Sequence, residues 1–153
     1  MMKTIFLDID GVLHPSTVGE LEYGPRGPKV TGPGVCALEA KLARIVSGKS
    51  VDIAIHSTWI YMFDERTLQT EYLPLLAQVA RIHLTNRRIE SRALRIIDYV
   101  RRRRLSPDEY IILDDAPKEF ASTVALLPRL VACDPAQGLD DLRVIKQIEE
   151  FLR

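Results

Sequence analysis

Thr4-Ile5-Phe6-Leu7-Asp8-Ile9-Asp10-Gly11-Val12-Leu13 is the stretch on which the reading of this chain turns. The apolar run from Thr4 to Leu7 predicts a buried strand, and Gly11 supplies the turn chemistry that ends it. Asp8 and Asp10 then stand two residues apart at the carboxyl end of that strand. Such a pair makes a seat for a hard divalent cation, and one carboxylate could attack phosphorus once a cation neutralises the charge between them. An Asp before a Gly is also ordinary turn chemistry. The rest of the chain has to decide.

Outward from this stretch the pattern alternates. Gly11 to Gly34 holds four prolines and six glycines and reads as a loop with no core of its own. Val35, Leu38, Leu42, Ile45 and Val46 have helical spacing, closed by Ser47-Gly48. Val51 to Ile55 reads as a strand, Leu68, Tyr72, Leu75, Leu76 and Val79 as a helical face interrupted at Pro74, and Ile82 to Leu84 as a short strand. Ala93, Ile96, Ile97 and Val100 mark another helix and Tyr110 to Leu113 another buried strand. A helix is expected near Pro117, a last strand at Leu130 to Ala132, and a final helix along Leu142, Ile145, Ile148 and Leu152. Strands alternating with helices predict an α/β domain, a Rossmann-like parallel sheet with helices on both faces.

Composition fits one such domain spanning residues 1–153. The hydrophobic fraction is 46%, the charged fraction 27%, and the formal net charge zero, so no global field advertises a polyanionic partner. Charge is nevertheless uneven: nine of the 24 residues from Arg81 to Arg104 are arginines. Cys36 and Cys133 stand apart among apolar neighbours and read as reduced, structural thiols. With no signal segment or membrane-spanning run in the sequence, the expected location is the cytoplasm, away from membranes.

In an open parallel sheet the loops leaving the carboxyl strand ends share one edge, and ligands bind there. Asp8 and Asp10 fall at that edge, as do His56-Ser57-Thr58 after the second strand of the sheet and Asp114-Asp115 after the penultimate one. Two acidic pairs and a hydroxyl pair at one edge suit phosphoryl transfer. Magnesium takes oxygen ligands, a carboxylate can form an aspartyl-phosphate, and a second carboxyl can exchange protons with the leaving group and water.

The order of these motifs resembles that of the haloacid dehalogenase (HAD) superfamily of aspartate-nucleophile phosphatases. Asp8-Ile9-Asp10-Gly11-Val12-Leu13 matches its first motif, the hydroxyl after the second strand its second, and Ile112-Leu113-Asp114-Asp115 its acidic metal motif. Asp-Gly-Val-Leu, Ser57-Thr58-Trp59, Leu-Asp-Asp and Gly138-Leu139 further resemble a small branch found with RNA-repair proteins, although this chain carries His56 before the serine and Ile60 after the tryptophan.

The resemblance implies Asp8 as nucleophile and Asp10 as general acid/base. It implies Mg2+ held by Asp8, Asp10 (through its backbone carbonyl), Asp114 and Asp115. Ser57 and Thr58 are the implied phosphate contacts. Arg92 is the expected cation against the phosphate charge, with Arg88 in reserve. Neither gap between motifs is long enough for a cap domain, so the resemblance implies a capless enzyme with an open site. The expected substrate is a phosphate monoester on a nucleic-acid end or a nucleotide. Two alternatives carry other functions, a receiver-like phospho-acceptor domain and a non-catalytic interaction domain. Ser57 in the middle of the chain and a late acidic pair weigh against the first, and four intact carboxylates against the second. His56 reads as a structural hydrogen-bonding residue, Trp59 as core or a wall of the site, and Arg101 to Arg104 as a solvated helix end. His14, just past the first motif, is weighed as a substrate contact.

Overall fold

Three five-residue apolar runs, β1 (Lys3–Leu7), β4 (Val51–Ile55) and β6 (Tyr110–Asp114), form the centre of the fold and are almost wholly buried. Continuous apolar strands of this kind need cover on both faces, and a parallel sheet flanked by helices supplies it. In the computed structural model, which describes residues 2–153, β1 pairs in parallel with β4 on one side and β6 on the other. β5 (Arg81–Leu84) and β7 (Leu130–Ala132) complete a five-stranded parallel sheet of order β5-β4-β1-β6-β7. The chain builds outward from β1 to β5 and then crosses to β6, so the strand order reverses between β1 and β6. That is where a doubly wound sheet opens a crevice.

Side chains alternate between two cores. Ile5, Leu7, Ile53, Ile55, Ile111 and Leu113 face α1 (Glu39–Val46), α3 (Pro74–Val79) and α5 (Leu142–Leu152). Phe6, Ala54 and Ile112 face Ala93, Ile96 and Tyr99 of α4 (Arg92–Arg103). The expected α/β architecture is the one observed. Among the described residues no cap domain interrupts it. Between β4 and β5 there are only short helical segments, among them α2 (Glu65–Thr67), which continues into a π-helical turn at Leu68–Tyr72.

Several expectations need correction. The Pro/Gly-rich segment contains an antiparallel hairpin, β2 (Glu20–Gly24) and β3 (Gly27–Thr31), closed by Pro25-Arg26. Val12, Leu13 and His14 at the start of the segment are buried against the body, with Val12 and Leu13 in the core under the sheet, whereas the hairpin itself packs little of its surface away and has no core of its own. Its hydrogen bond to the body runs from the Val30 N–H to the Tyr72 hydroxyl, 3.0 Å. Leu75, expected on the buried face of its helix, is exposed. Pro74 starts a new helix after the π turn, which shifts the phase, and Leu73 is buried instead. Leu142 is 78% exposed because it opens α5 directly after its Asp141 cap, a turn short of the core. Near Pro117 the chain forms a 3-10 turn, Pro117–Phe120, and not an α-helix.

Candidate active site

The parallel ladder carries on one residue beyond the strands and so brings their ends level. The Asp8 N–H donates to the Leu113 carbonyl at 3.0 Å, the His56 N–H to Leu7 at 3.2 Å, and the Cys133 N–H to Asp114 at 2.9 Å. Asp8 and Asp114, at the mouth of the β1/β6 crevice, are buried, and one oxygen from each of Asp8, Asp114 and Asp115 lies within 4.8 Å of the others. Three hard oxygen donors so arranged fit a divalent cation such as magnesium.

Gly11 makes room for this group. It has φ 76°, and a Cβ on it would lie 2.1 Å from Asp115 Oδ2. Gly11→Ala should therefore both strain the turn and push Asp115 out of the cluster. We expect a loss of about 1–3 kcal/mol in stability together with loss of any cation-induced stabilisation, read by thermal melts with and without Mg2+. Unchanged cation response in this variant would mean that Asp115 is not a ligand. Gly138 has a similar role in the layer behind. A Cβ there would meet the Val12 carbonyl at 2.4 Å, and Leu139 donates its N–H to that same carbonyl at 3.0 Å.

Arg92 opens α4, whose N-cap Ser91 accepts from the Leu94 N–H. This start at the sheet edge lets Arg92 Nη1 reach Asp114 Oδ1 and Oδ2 at 2.9 Å and Asp8 Oδ2 at 3.3 Å. Burial would lower the guanidinium pKa, but the Asp8 and Asp114 charges more than reverse that, so Arg92 is firmly cationic. Arg88 is exposed. Asp114 also accepts from the Ala116 N–H at 2.8 Å and pairs with His56 Nε2 at 2.7 Å, both side chains being fully buried. Burial would raise the Asp114 pKa, but the His56 hydrogen bond and the Arg92 charge hold it low. Burial keeps His56 below the usual imidazole range despite Asp114, so a neutral ring donates its Nε2–H to an ionised carboxylate. Asp8 behaves oppositely. Burial and the Asp114 charge push it well above the usual carboxylate range, with Arg92 opposing them.

Asp10 points elsewhere. Its side chain is 45% exposed and accepts from His14 Nε2 at 2.7 Å and Trp59 Nε1 at 3.0 Å. Burial alone would raise its pKa, and these two hydrogen bonds outweigh it. His14 is fully buried and turned toward Asp10, so it is not an outward substrate contact. Trp59 is buried as expected, against Phe63 and Tyr72. Ser57 is buried at the start of the turn Thr58–Tyr61, where its Oγ accepts from the Trp59 N–H at 3.1 Å; Thr58 is exposed beside it. Burial pushes both cysteine thiols up to about 12, so neither serves as a nucleophile.

Sequence reading missed Arg95. Its Nη1 donates to the Tyr61 hydroxyl at 2.6 Å and to the Ile89 and Glu90 carbonyls at 2.9 and 2.7 Å, and its Nη2 to the His56 carbonyl at 2.9 Å. This buried clamp ties the segment that delivers Arg92 to the end of β4. Arg101 to Arg104 are exposed, with Arg102 paired to Asp98 at 2.9 Å, and α4 places them roughly 16 Å along its axis from Arg92.

No curated protein matches the chain. Residues 4–144 match the family described as the HAD domain in Swiss Army Knife RNA repair proteins. With that match over most of its length, on a capless Rossmann-like sheet with the acidic motifs gathered at one edge, the chain belongs to this family of HAD-type hydrolase domains.

Proposed function

We propose that the protein is a magnesium-dependent phosphomonoester hydrolase that works through an aspartyl-phosphate on Asp8 and acts on phosphorylated nucleic-acid ends. The observation that carries this reading is the gathering of Asp8, Asp114 and Asp115 around one point while Asp10, two residues away, is held outside that group. One carboxylate is thereby reserved for proton transfer and the others for charge and attack. Bound among Asp8, Asp114 and Asp115, the cation supplies charge neutralisation between carboxylates and phosphate.

An Asp8 oxygen attacks phosphorus in line, the ester P–O bond breaks, and the departing oxygen takes a proton from Asp10, which its 45% exposure lets solvent protonate at the start of the cycle although its two donors favour the ionised form. Asp10 then takes a proton from water as the water oxygen bonds phosphorus. The bond from phosphorus to Asp8 breaks, and inorganic phosphate leaves with both carboxyl groups restored to their starting forms. Arg92, 3.3 Å from Asp8, offsets the phosphoryl charge, and the Ser57 O–H donates to a phosphoryl oxygen.

The nucleic-acid end as substrate rests on the family and on the capless, open site. It does not need Arg101 to Arg104, which lie a helix length away. Turnover of 3′- or 5′-phosphorylated oligonucleotides, nucleotides, sugar phosphates and phosphopeptides with Mg2+ tests the reading. Oligonucleotide ends should be hydrolysed fastest. Absence of monoester hydrolysis would remove the enzyme reading, and parity with mononucleotides the nucleic-acid one. Mg2+ at about ten times its dissociation constant should also contribute roughly 1.4 kcal/mol, a rise of about 3–5 °C in Tm, and Asp115→Ala should flatten that response.

A further inference from the structure

His14 has no outlet to solvent, yet both of its ring nitrogens are engaged. Its Nδ1 accepts the Cys36 backbone N–H at 2.9 Å, and its Nε2 lies 2.7 Å from Asp10 Oδ1. A nitrogen that accepts cannot also carry the proton of a neutral ring, so the proton sits on Nε2 and is donated to Asp10. The arrangement is held from behind. Cys36, whose N–H sets the tautomer, has φ 54°, a backbone region that side-chain-bearing residues seldom adopt. On the other side of Asp10, Trp59 can only donate. Its Nε1–H meets Oδ2 at 3.0 Å, and its indole packs edge-on against Tyr72 with centroids 5.1 Å apart. Each oxygen of Asp10 thus meets one donor that cannot reverse its role.

We propose that His14, as its Nε2–H tautomer, and Trp59 are positioning residues that hold Asp10 in the single orientation in which it gives a proton to the leaving oxygen and takes one from water. This rests on the reading of Asp10 as general acid/base. A carboxylate free to rotate about its side-chain torsions would meet the leaving oxygen only some of the time. The two donors remove that freedom and leave the solvent-facing lone pairs for the proton that moves.

The test separates positioning from mere support of the fold. His14→Phe keeps the ring volume and deletes both hydrogen bonds, whereas His14→Gln retains an amide N–H that can reach Asp10. Two rates are compared. The first is the pre-steady-state release of p-nitrophenolate from p-nitrophenyl phosphate, a leaving group that needs no proton. The second is steady-state turnover of an alkyl phosphate. His14→Phe should lower kcat on the alkyl ester about 10- to 100-fold with KM unchanged. The aryl burst rate should stay within about twofold, and His14→Gln should recover most of the loss. Trp59→Phe, which deletes the indole N–H, must show the same split and carries the test if His14→Phe does not fold. Parallel loss of burst and turnover, or no loss of either, overturns the proposal.

The 15N spectrum of the wild-type imidazole gives a readout independent of catalysis. A protonated Nδ1 with an unprotonated Nε2 overturns the clamp whatever the activity. The Nε2–H tautomer in a protein that hydrolyses no monoester supports the clamp and overturns the hydrolase reading together with the role in proton transfer.

Discussion

Asp8→Asn is expected to abolish the covalent phosphoryl-enzyme and to cut turnover on the order of 10⁴–10⁶-fold. An amide cannot attack phosphorus, but the fold has little reason to notice the change. The Ile9 N–H that donates to Asp8 Oδ1 at 2.9 Å can donate equally to an Asn carbonyl. The substitution also removes a buried negative charge beside Asp114, the arrangement that pushes the Asp8 carboxyl upward in the wild type. The cation-free variant should therefore melt close to wild type while losing much of its response to Mg2+. Acid quench followed by mass spectrometry detects the adduct, and near-normal turnover in Asp8→Asn would sink the assignment. Asp10→Asn should behave differently. It should keep cation binding and slow turnover on the order of 10²–10⁴-fold, least for leaving groups that need no proton.

The largest stability effect is expected at Arg95, whose hydrogen bonds go to none of the acidic residues of the site. Its guanidinium satisfies three backbone carbonyls and the Tyr61 hydroxyl, all neutral oxygens, from a position with almost no solvent access. Arg95→Met fills much of the volume but strands these acceptors in the interior. A cost of about 3–5 kcal/mol, or roughly a 10 °C fall in Tm, is expected. Two of the carbonyls belong to Ile89 and Glu90, just before Arg92. KM for phosphorylated substrates should therefore rise even at temperatures where the variant is folded. A loss below about 1 kcal/mol would show that water reaches these carbonyls and that the clamp is not one.

The first motif was readable because everything it needs is local. An apolar strand, two carboxylates and a glycine follow one another, and Gly11 proves to be required by the close approach of Asp115. Arg92 was readable for a related reason, since a helix start after a strand points its first residue at the sheet edge. The partners of Asp10 were not. Trp59 meets it only after the chain has passed through a hairpin, a helix and a strand, and no spacing rule links residue 10 to residue 59; His14 lies only four residues on, but its burial and its turn back onto Asp10 depend on the folded loop. Arg95 was hidden by its neighbours, because an arginine in an arginine-rich segment reads as solvated. Only its place beside the Ala93, Ile96 and Tyr99 face, where a charged residue has to be accommodated, could have signalled otherwise. The hairpin did leave a trace, Glu20-Leu21-Glu22-Tyr23 with a Gly-Pro-Arg-Gly turn. The density of Pro and Gly masked it.

The strand order has one further consequence, which concerns how the molecule opens. β1 is hydrogen-bonded along both sides and β6 is its neighbour, whereas β5 and β7 each have one free edge and the β2–β3 hairpin stands outside the sheet. Partial unfolding starts where backbone amides have fewest partners and is slowest at the doubly paired strands. The margins of this protein can therefore exchange, fray and re-form many times while Asp8 and Asp114 keep their separation. Asp8 and Asp114 sit on the strands that let go last, and the sequence of the hairpin can change without disturbing them.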